Sequence, residues 1–364
     1  MHLIARVVSG RSALADQASA WKALEREHPV AAFQRSAWAN AWVEHLGAES
    51  EPLLVLVGDP PLAILPLALR RIGGVRVLGL LGEGVSDLLG TAPLDAPADV
   101  YRAIGACLRG FSARWDLLDW KSLAADREQR AALADGLGRR IVARVYEHCP
   151  FIETSGTWER YLASRNRSFR KDLKKAERRL HQRGRVSVGR EMPSASLFDD
   201  FVAVERDSWK WAEGRALLRD PRTRAFLRAV LLDQDVAQEI WTVRVNDSLA
   251  GFAVILSQGN RRLYYLSSFR AQFPKAGAFL MAEIIRGCFA GSADRFEFLQ
   301  GDQSYKLAWC QGEDTVYEIA AAGSSPVGLV ALAAVRARWR LARSERLRRW
   351  RELAVTRLWQ RKGA

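Results

Sequence analysis

Asp302, Tyr305 and Lys306 place a carboxylate, a phenol and an amine close together, just after an apolar strand-like run, Arg295 to Leu299, and a glycine turn at Gly301. In a partly buried cleft such a trio supports acid–base chemistry. The carboxylate is the base, and the phenol or amine is the acid or the partner of a developing oxyanion. A surface turn with an Asp–Lys ion pair accounts for the same residues without catalysis. Upstream, Arg270 to Gly277 links another strand-like run, Arg261 to Phe269, to an apolar helix, Ala278 to Phe289. A glycine at a helix start lets backbone N–H groups approach a phosphate, and the helix dipole favours its charge. Ala276, Gly277, Ala278 and Phe279 would offer the amides, and Arg270 and Lys275 the positive charge. An ordinary strand-to-helix turn with solvated cations is the alternative.

Three further clusters stand out. Trp209 and Trp211 flank Lys210, a pattern that can stack on a sugar or pack a helix end. In the first half, Gly82-Glu-Gly-Val-Ser-Asp87 follows a strand, so Ser86 and Asp87 either hold an acceptor or belong to a plain loop. The stretch Arg165 to Arg185 carries 10 Lys/Arg against Asp172 and Glu177. It reads as a basic helix face for phosphates, tRNA or an anionic membrane, or as a solvated face. The five histidines are scattered, and Cys107, Cys149, Cys288 and Cys310 lack metal-ligand spacing, so no metal is expected. No Ser/His/Asp triad, nucleotide P-loop or paired-glycine dinucleotide fingerprint is present.

These residues need elements to position them. The chain has 364 residues, 49% hydrophobic and 26% charged, which suits a globular protein of two domains. Periodicity predicts a strand at Leu3–Val8, helices at Ala13–Glu27 and Ser36–Leu46, and a hairpin with arms Pro52–Gly58 and Leu62–Arg70. A strand at Val75–Leu81 follows, then helix and strand twice over, ending at His148. The second half repeats this order. It opens with one long helix, Trp158–Arg183, and contains a hairpin over Glu239–Ser257 and a final strand at Thr315–Ala322. The repetition predicts a duplicated domain: 1–150, 151–325 and a basic tail, 326–364.

Net charge is +14, and the tail holds 11 Lys/Arg against 2 Glu. Its apolar stripe, Leu332, Val335, Trp339, Leu347, Trp350, Ala354 and Leu358, recurs at helical spacing among arginines. That pattern predicts an interfacial helix on anionic lipid, or one docked on the protein itself. Neither a signal peptide nor a membrane span is read, so a cytoplasmic protein, peripheral at the inner face of the membrane, is expected.

Residues from about 158 to 310 resemble the acyltransferase domain of the CelD/BcsL-type GNAT family, linked to bacterial cellulose and exopolysaccharide production. The matching pieces are Arg167-Ser-Phe-Arg-Lys-Asp-Leu-Lys-Lys-Ala-Glu-Arg-Arg-Leu180, Asp207-Ser-Trp-Lys210, the loop with Pro274 and Gly277, and Gly301-Asp302-Gln-Ser-Tyr305-Lys306-Leu-Ala-Trp309. Ser36-Ala-Trp38 and Leu65-Pro66-Leu67 are similar to the family's N-terminal region. The resemblance implies an α/β fold of tandem GNAT-like domains, each a mixed sheet flanked by helices, as in the related FemABX peptidyltransferases. It also implies that strand Arg261–Phe269 pairs with the pantetheine arm of an acyl-CoA and that the loop Arg270–Ala278 holds its pyrophosphate. The loop departs from the family's Gln/Arg-x-x-Gly-x-Gly/Ala pattern, with Lys275 where the first glycine belongs. Acetyl-CoA, a longer acyl-CoA and an aminoacyl-tRNA therefore all stay open as donors.

The implied reaction moves an acyl group to an amine or hydroxyl of a small-molecule or glycan acceptor, such as an exopolysaccharide or envelope precursor. Asp302 is the expected base, Tyr305 or Lys306 assists, and Trp209, Lys210, Ser86 and Asp87 meet the acceptor. A tRNA-dependent transferase and an inactive scaffold at the membrane are the alternatives. DNA is not an expected partner.

Overall fold

The computed structural model describes residues 3–236 and 238–343. The first half contains β1 (Ala5–Ser9), α1 (Arg11–Asp16), α2 (Ala18–Glu27), α3 (Ser36–His45), β2 (Ser50–Gly58), β3 (Pro61–Ile72), β4 (Val75–Leu80), α4 (Ala98–Gly110), β5 (Leu117–Leu123) and α5 (Arg127–Leu137). β6 (Val142–Glu153) leads into α6 (Trp158–Ser164), α7 (Arg167–His181), β7 (Val186–Glu191), α8 (Ala195–Arg206), α9 (Trp209–Ala212) and α10 (Pro221–Leu232). The remainder is β8 (Gln238–Val245), β9 (Ser248–Gln258), β10 (Arg261–Phe269), α11 (Ala276–Ala290), β11 (Arg295–Glu297), α12 (Ser304–Trp309), β12 (Gly312–Ala322) and α13 (Pro326–Arg343).

All twelve strands form one mixed sheet in the order β1-β2-β3-β4-β5-β12-β6-β11-β10-β9-β8-β7. The last strand, β12, lies between β5 and β6 and so ties the end of the chain to its first half. β6 does not stop at Pro150, where the sequence suggested a strand end. Proline has no N–H to donate, but the Pro150 carbonyl accepts from Phe298 N at 2.9 Å, and pairing runs on to Glu153. The two halves share a continuous sheet at this point.

Two expected helices are broken. Ala13–Glu27 divides at Gln17. Trp158–Arg183 divides at Arg165, whose backbone is extended, and the Asn166 side chain caps α7 by accepting from Phe169 N at 2.8 Å. A side-chain cap satisfies an end amide that continuing the helix would have used internally, so Asn restarts a helix better than it extends one. The segment 304–309, read as a turn, is the short helix α12.

One hydrophobic cluster crosses between the halves. Trp38 on α3 packs edge-on against Phe226 of α10 (5.1 Å between centroids) and Tyr265 of β10 (5.5 Å). Trp38 and Phe226 are fully buried. The tail helix α13 also docks: Val335 and Trp339 are buried with Val77, Leu117 and Ala320. Arg338 donates to the buried Glu318 at 2.7 Å, and Arg144 Nε does so at 2.6 Å. This part of the apolar stripe therefore faces the sheet, because burying Trp339 and neutralising Glu318 both favour it. Leu347, Trp350, Ala354 and Leu358 lie outside the described residues. Among those described, no helix is long and apolar enough to cross a membrane.

Trp339→Ala should lower the unfolding free energy by about 3–5 kcal/mol, the range for a buried aromatic cut to Ala. Leu341→Ala, on the exposed side of α13, should change it by less than about 0.5 kcal/mol. Equal effects in denaturant titration would contradict the docking.

Candidate active site

The site begins with a gap in the sheet. β10 pairs with β11 only over Arg261–Leu263, opposite Arg295–Glu297. Beyond Leu263 the two strands part, and among the described residues no strand pairs that edge of β10 from Tyr264 to Phe269. On the other side the register with β9 shifts between Tyr264 and Leu266, a bulge at Tyr265. Bulges re-aim side chains, and here both tyrosines line the gap.

Two adjoining cavities occupy the opening. A polar one of about 250 Å³ is lined by Asp87, Glu205, Arg215, Tyr265, Gln300 and Lys306, among others. An apolar one of about 280 Å³ is lined by Phe252, Phe269, Pro274, Gly277, Met281 and Trp309. They share Trp209, Lys210, Tyr264, Ser267 and Tyr305. A third recess, about 280 Å³, meets the apolar cavity at Pro274 and is lined by Arg179, Arg183, Gln272 and Lys275.

The polar cavity is built from both halves. The loop after β4 carries Asp87 into it, aided by Gly82 and Gly84 at φ of 101° and 92°. Trp38 Nε1 donates to Ser86 Oγ at 2.9 Å, and the Tyr265 hydroxyl donates to Val85 O at 2.7 Å. Ser86 is thus buried and engaged by Trp38, and it lines none of the three recesses. From the second half, Leu299 adopts a left-handed φ of 58°. That conformation is costly for a branched side chain and marks strain that the surroundings hold in place. It directs Gln300 to the site. The Gln300 side-chain Nε2 donates to Asp87 O, and the Gln300 backbone carbonyl accepts from Lys306 Nζ.

Burial sets the charges. It pushes the Asp87 carboxyl up to about 6, opposed by the Lys306 ammonium. It pushes the Lys306 ammonium down, opposed by Asp87. Lys210 Nζ donates to Ser267 O at 2.7 Å, and burial lowers its pKa against the pull of Glu205. Glu205 is fully buried. Its Oε2 accepts from Leu218 N at 2.8 Å, whereas its Oε1 has no hydrogen-bond partner. Burial raises its pKa. Tyr305 is half-exposed and also raised by burial.

Lys210, Asp87, Tyr305 and Lys306 are therefore brought together, with Trp209 at the shared wall. Asp302 is exposed and lines neither cavity. Arg270 turns inward, donating to Leu249 O at 2.9 Å with Asp207 at 3.6 Å, and so fixes the loop. Lys275 precedes α11 and lines the basic recess. Gly277 and Ala278 line the apolar cavity, while Ala276 and Phe279 are buried and line none of the three recesses. No side chain caps the start of α11, which leaves first-turn amides for a ligand. Gly277 is required by its neighbour: a Cβ there would lie 2.7 Å from Phe269 Cδ1. Sequence reasoning passed over Glu205, Tyr264, Tyr265 and Gln300. A signal existed for Glu205, which follows Phe198 and Phe201 on the apolar face of α8.

Residues 167–307 match the family model of the acetyltransferase (GNAT) domain. The match runs from α7 into α12 and takes in the gap, the loop and the second-half walls of the three recesses except Trp309. This GNAT domain makes the protein a transferase of the acyl-transferring class. Among curated proteins none matches the chain. Solved structures show the same fold at low identity. The C-terminal domain of a protein from Agrobacterium fabrum described as a lysylphosphatidylglycerol synthetase superposes with a TM-score of 0.55 and 13% identity, covering 88% of this chain and 96% of that one. FemX gives 0.56 and 10%, covering 83% and 95%. L-PGS from Bacillus licheniformis gives 0.55 and 13%, covering 87% and 95%. The fold shared with these structures is a large mixed sheet flanked by helices, with the GNAT match in its second half.

Because folded Asp87 holds its proton more tightly than the unfolded chain, it makes stability fall as pH rises from the ordinary carboxylate range through about 6. Carboxyl-carbon NMR should give an Asp87 midpoint near 6, and Lys306→Met should raise it by removing the opposing cation. An ordinary midpoint, or one insensitive to Lys306, would contradict the site's electrostatics.

Proposed function

We propose that the protein transfers an acyl group from an acyl-CoA to an amine or hydroxyl of an acceptor such as an exopolysaccharide or envelope precursor. One observation carries this reading: the polar and apolar recesses adjoin along the open edge of β10, and the basic recess meets the apolar one at Pro274. The donor fits this path. Lys275, Arg179, Arg183 and the first amides of α11 suit its phosphates. The unpaired edge of β10 suits an amide-bearing arm that adds alongside a strand, and Ser268, whose buried Oγ has no hydrogen-bond partner among the described residues, is one of the residues lining the apolar cavity. The thioester then reaches the shared wall of Trp209, Lys210, Tyr264 and Tyr305, and the acceptor enters the polar cavity.

Attack by the acceptor on the thioester carbonyl forms a tetrahedral intermediate, whose collapse breaks the C–S bond. Lys306 and Tyr305 stand where they can steady the oxyanion or protonate the leaving thiolate. Asp302 stands outside both cavities, so we give the acceptor's proton to Asp87, whose raised pKa suits a base working near neutrality.

A second reading, transfer from an aminoacyl-tRNA, draws support from α7. Arg167, Lys171, Lys174, Lys175 and Arg178 are exposed along it and extend the basic recess. One of the proteins sharing the fold has a name that pairs a lysyl group with a lipid. We also propose the anionic membrane contact of the tail, through the arginines around its apolar stripe, among them Arg346, Arg348, Arg349 and Arg351.

Native mass spectrometry of the purified protein should find a carried-over CoA species, and calorimetry should show acyl-CoA binding that weakens at least about tenfold in Lys275→Glu. Lys306→Met should retain binding and lose on the order of 10²-fold in kcat. Binding of aminoacyl-tRNA with no CoA bound would replace the first reading by the second.

A further inference from the structure

The polar cavity gathers more charge than it pairs. Glu205 and Lys306 are buried, Asp87 and Lys210 are partly buried, and Arg215 stands exposed at the rim. Among the described residues, no ion pair joins either carboxylate to either lysine. Lys210 gives one hydrogen bond, to Ser267 O, and Lys306 gives one, to Gln300 O. Each ammonium carries three donors. Among the described residues, Glu205 Oε1 has no partner. The rim guanidinium of Arg215 is held only loosely, 3.7 Å from Glu213 and over the Trp209 ring at 5.6 Å.

Buried charges that lack partners are expensive, and they persist where something supplies the missing counter-charge. Here both signs are missing a partner in one cavity. A neutral sugar would hydrogen-bond to these groups but would satisfy neither charge. A simple amine would serve the carboxylates and repel the cations, and a simple anion would do the reverse. About 250 Å³ is room for a small polar molecule or for the end of a larger one.

We infer that the polar cavity takes a zwitterionic acceptor, an amino acid or a group with the same paired amine and carboxylate. Its ammonium lies against Glu205 Oε1 and Asp87, and its carboxylate lies against Lys210 and Arg215. The aromatic walls of Trp209, Tyr264 and Tyr265 give a cation further favourable faces. Burial drives Glu205 toward the neutral acid and both lysines toward the neutral amine. A ligand of both signs restores the charged forms, and the same carboxylates then stand ready to take the proton that the amine must lose before it attacks.

This inference rests on reading the polar cavity as the acceptor site, and its test uses no acyl donor, so the CoA reading can stand or fall separately. Ligand-observed NMR titration would compare each proteinogenic L-amino acid with its carboxamide and its N-acetyl derivative. At least one amino acid should bind at least about tenfold more tightly than both derivatives. Glu205→Gln should abolish the preference over the N-acetyl form, and Lys210→Met the preference over the carboxamide. Both variants keep the side chain's size, and retained near-ultraviolet circular dichroism reports that they fold. The inference is overturned if no amino acid is preferred to its derivatives, or if folded Glu205→Gln discriminates as the wild type does.

Discussion

A buried strand edge without a partner is the constraint on which the rest of this structure turns. From Tyr264 to Phe269, β10 faces a gap instead of a neighbouring strand. Buried backbone groups are rarely left unsatisfied, and open sheet edges are usually covered. The protein covers this one only in part. Lys210 takes the Ser267 carbonyl, the bulge at Tyr265 bends the strand, and the apolar cavity keeps the remainder open. The strain at Leu299 belongs to the same economy: it is the turn by which the chain leaves β11 and closes over the gap.

That opening explains why two halves are needed. The loop bearing Asp87 is irregular and deeply buried, so its backbone must be satisfied from outside itself. Gln34 and Trp38 hold it from the first half, Tyr265 and Gln300 from the second. Trp38 sits on α3 and Tyr265 on β10, while Gln34 lies in the turn before α3 and Gln300 in the turn after β11, so these four segments together set the position of Asp87. The aromatic contacts of Trp38 with Phe226 and Tyr265 place this joint on a packed core. β12 adds a second tie by entering the sheet between β5 and β6.

Much of this was legible in the chain, and the misses have physical reasons. Continuous apolar runs bounded by turn residues located the hairpins, whose central residues are buried on both faces, and the same reading located β10 and α11. Periodicity cannot show where a sheet opens, since pairing partners lie far apart in sequence. Periodicity therefore gave no sign of the gap beside β10, which only the family resemblance implied, and it left the roles of Tyr264 and Gln300 unread. Pro150 reads locally as a strand end, and only the pairing of its carbonyl shows otherwise. Asp302 and Lys306 looked like one cluster by spacing, but α12 turns Lys306 inward and leaves Asp302 in solvent. Ser86 and Asp87 are adjacent, yet one is bonded to Trp38 and the other lines the cavity.

The central claim is that the open edge of β10 receives the donor and delivers its acyl carbon to the wall shared by the apolar and polar cavities. A crystal structure with a non-hydrolysable acyl-CoA thioether tests it most directly. The account predicts the pantetheine amides hydrogen-bonded along Tyr264 to Phe269, the pyrophosphate at the amides of Gly277 and Ala278 near Lys275, and the acyl group beside Lys210 and Tyr305. Ligand density elsewhere on the protein, with both cavities filled only by solvent, would contradict it.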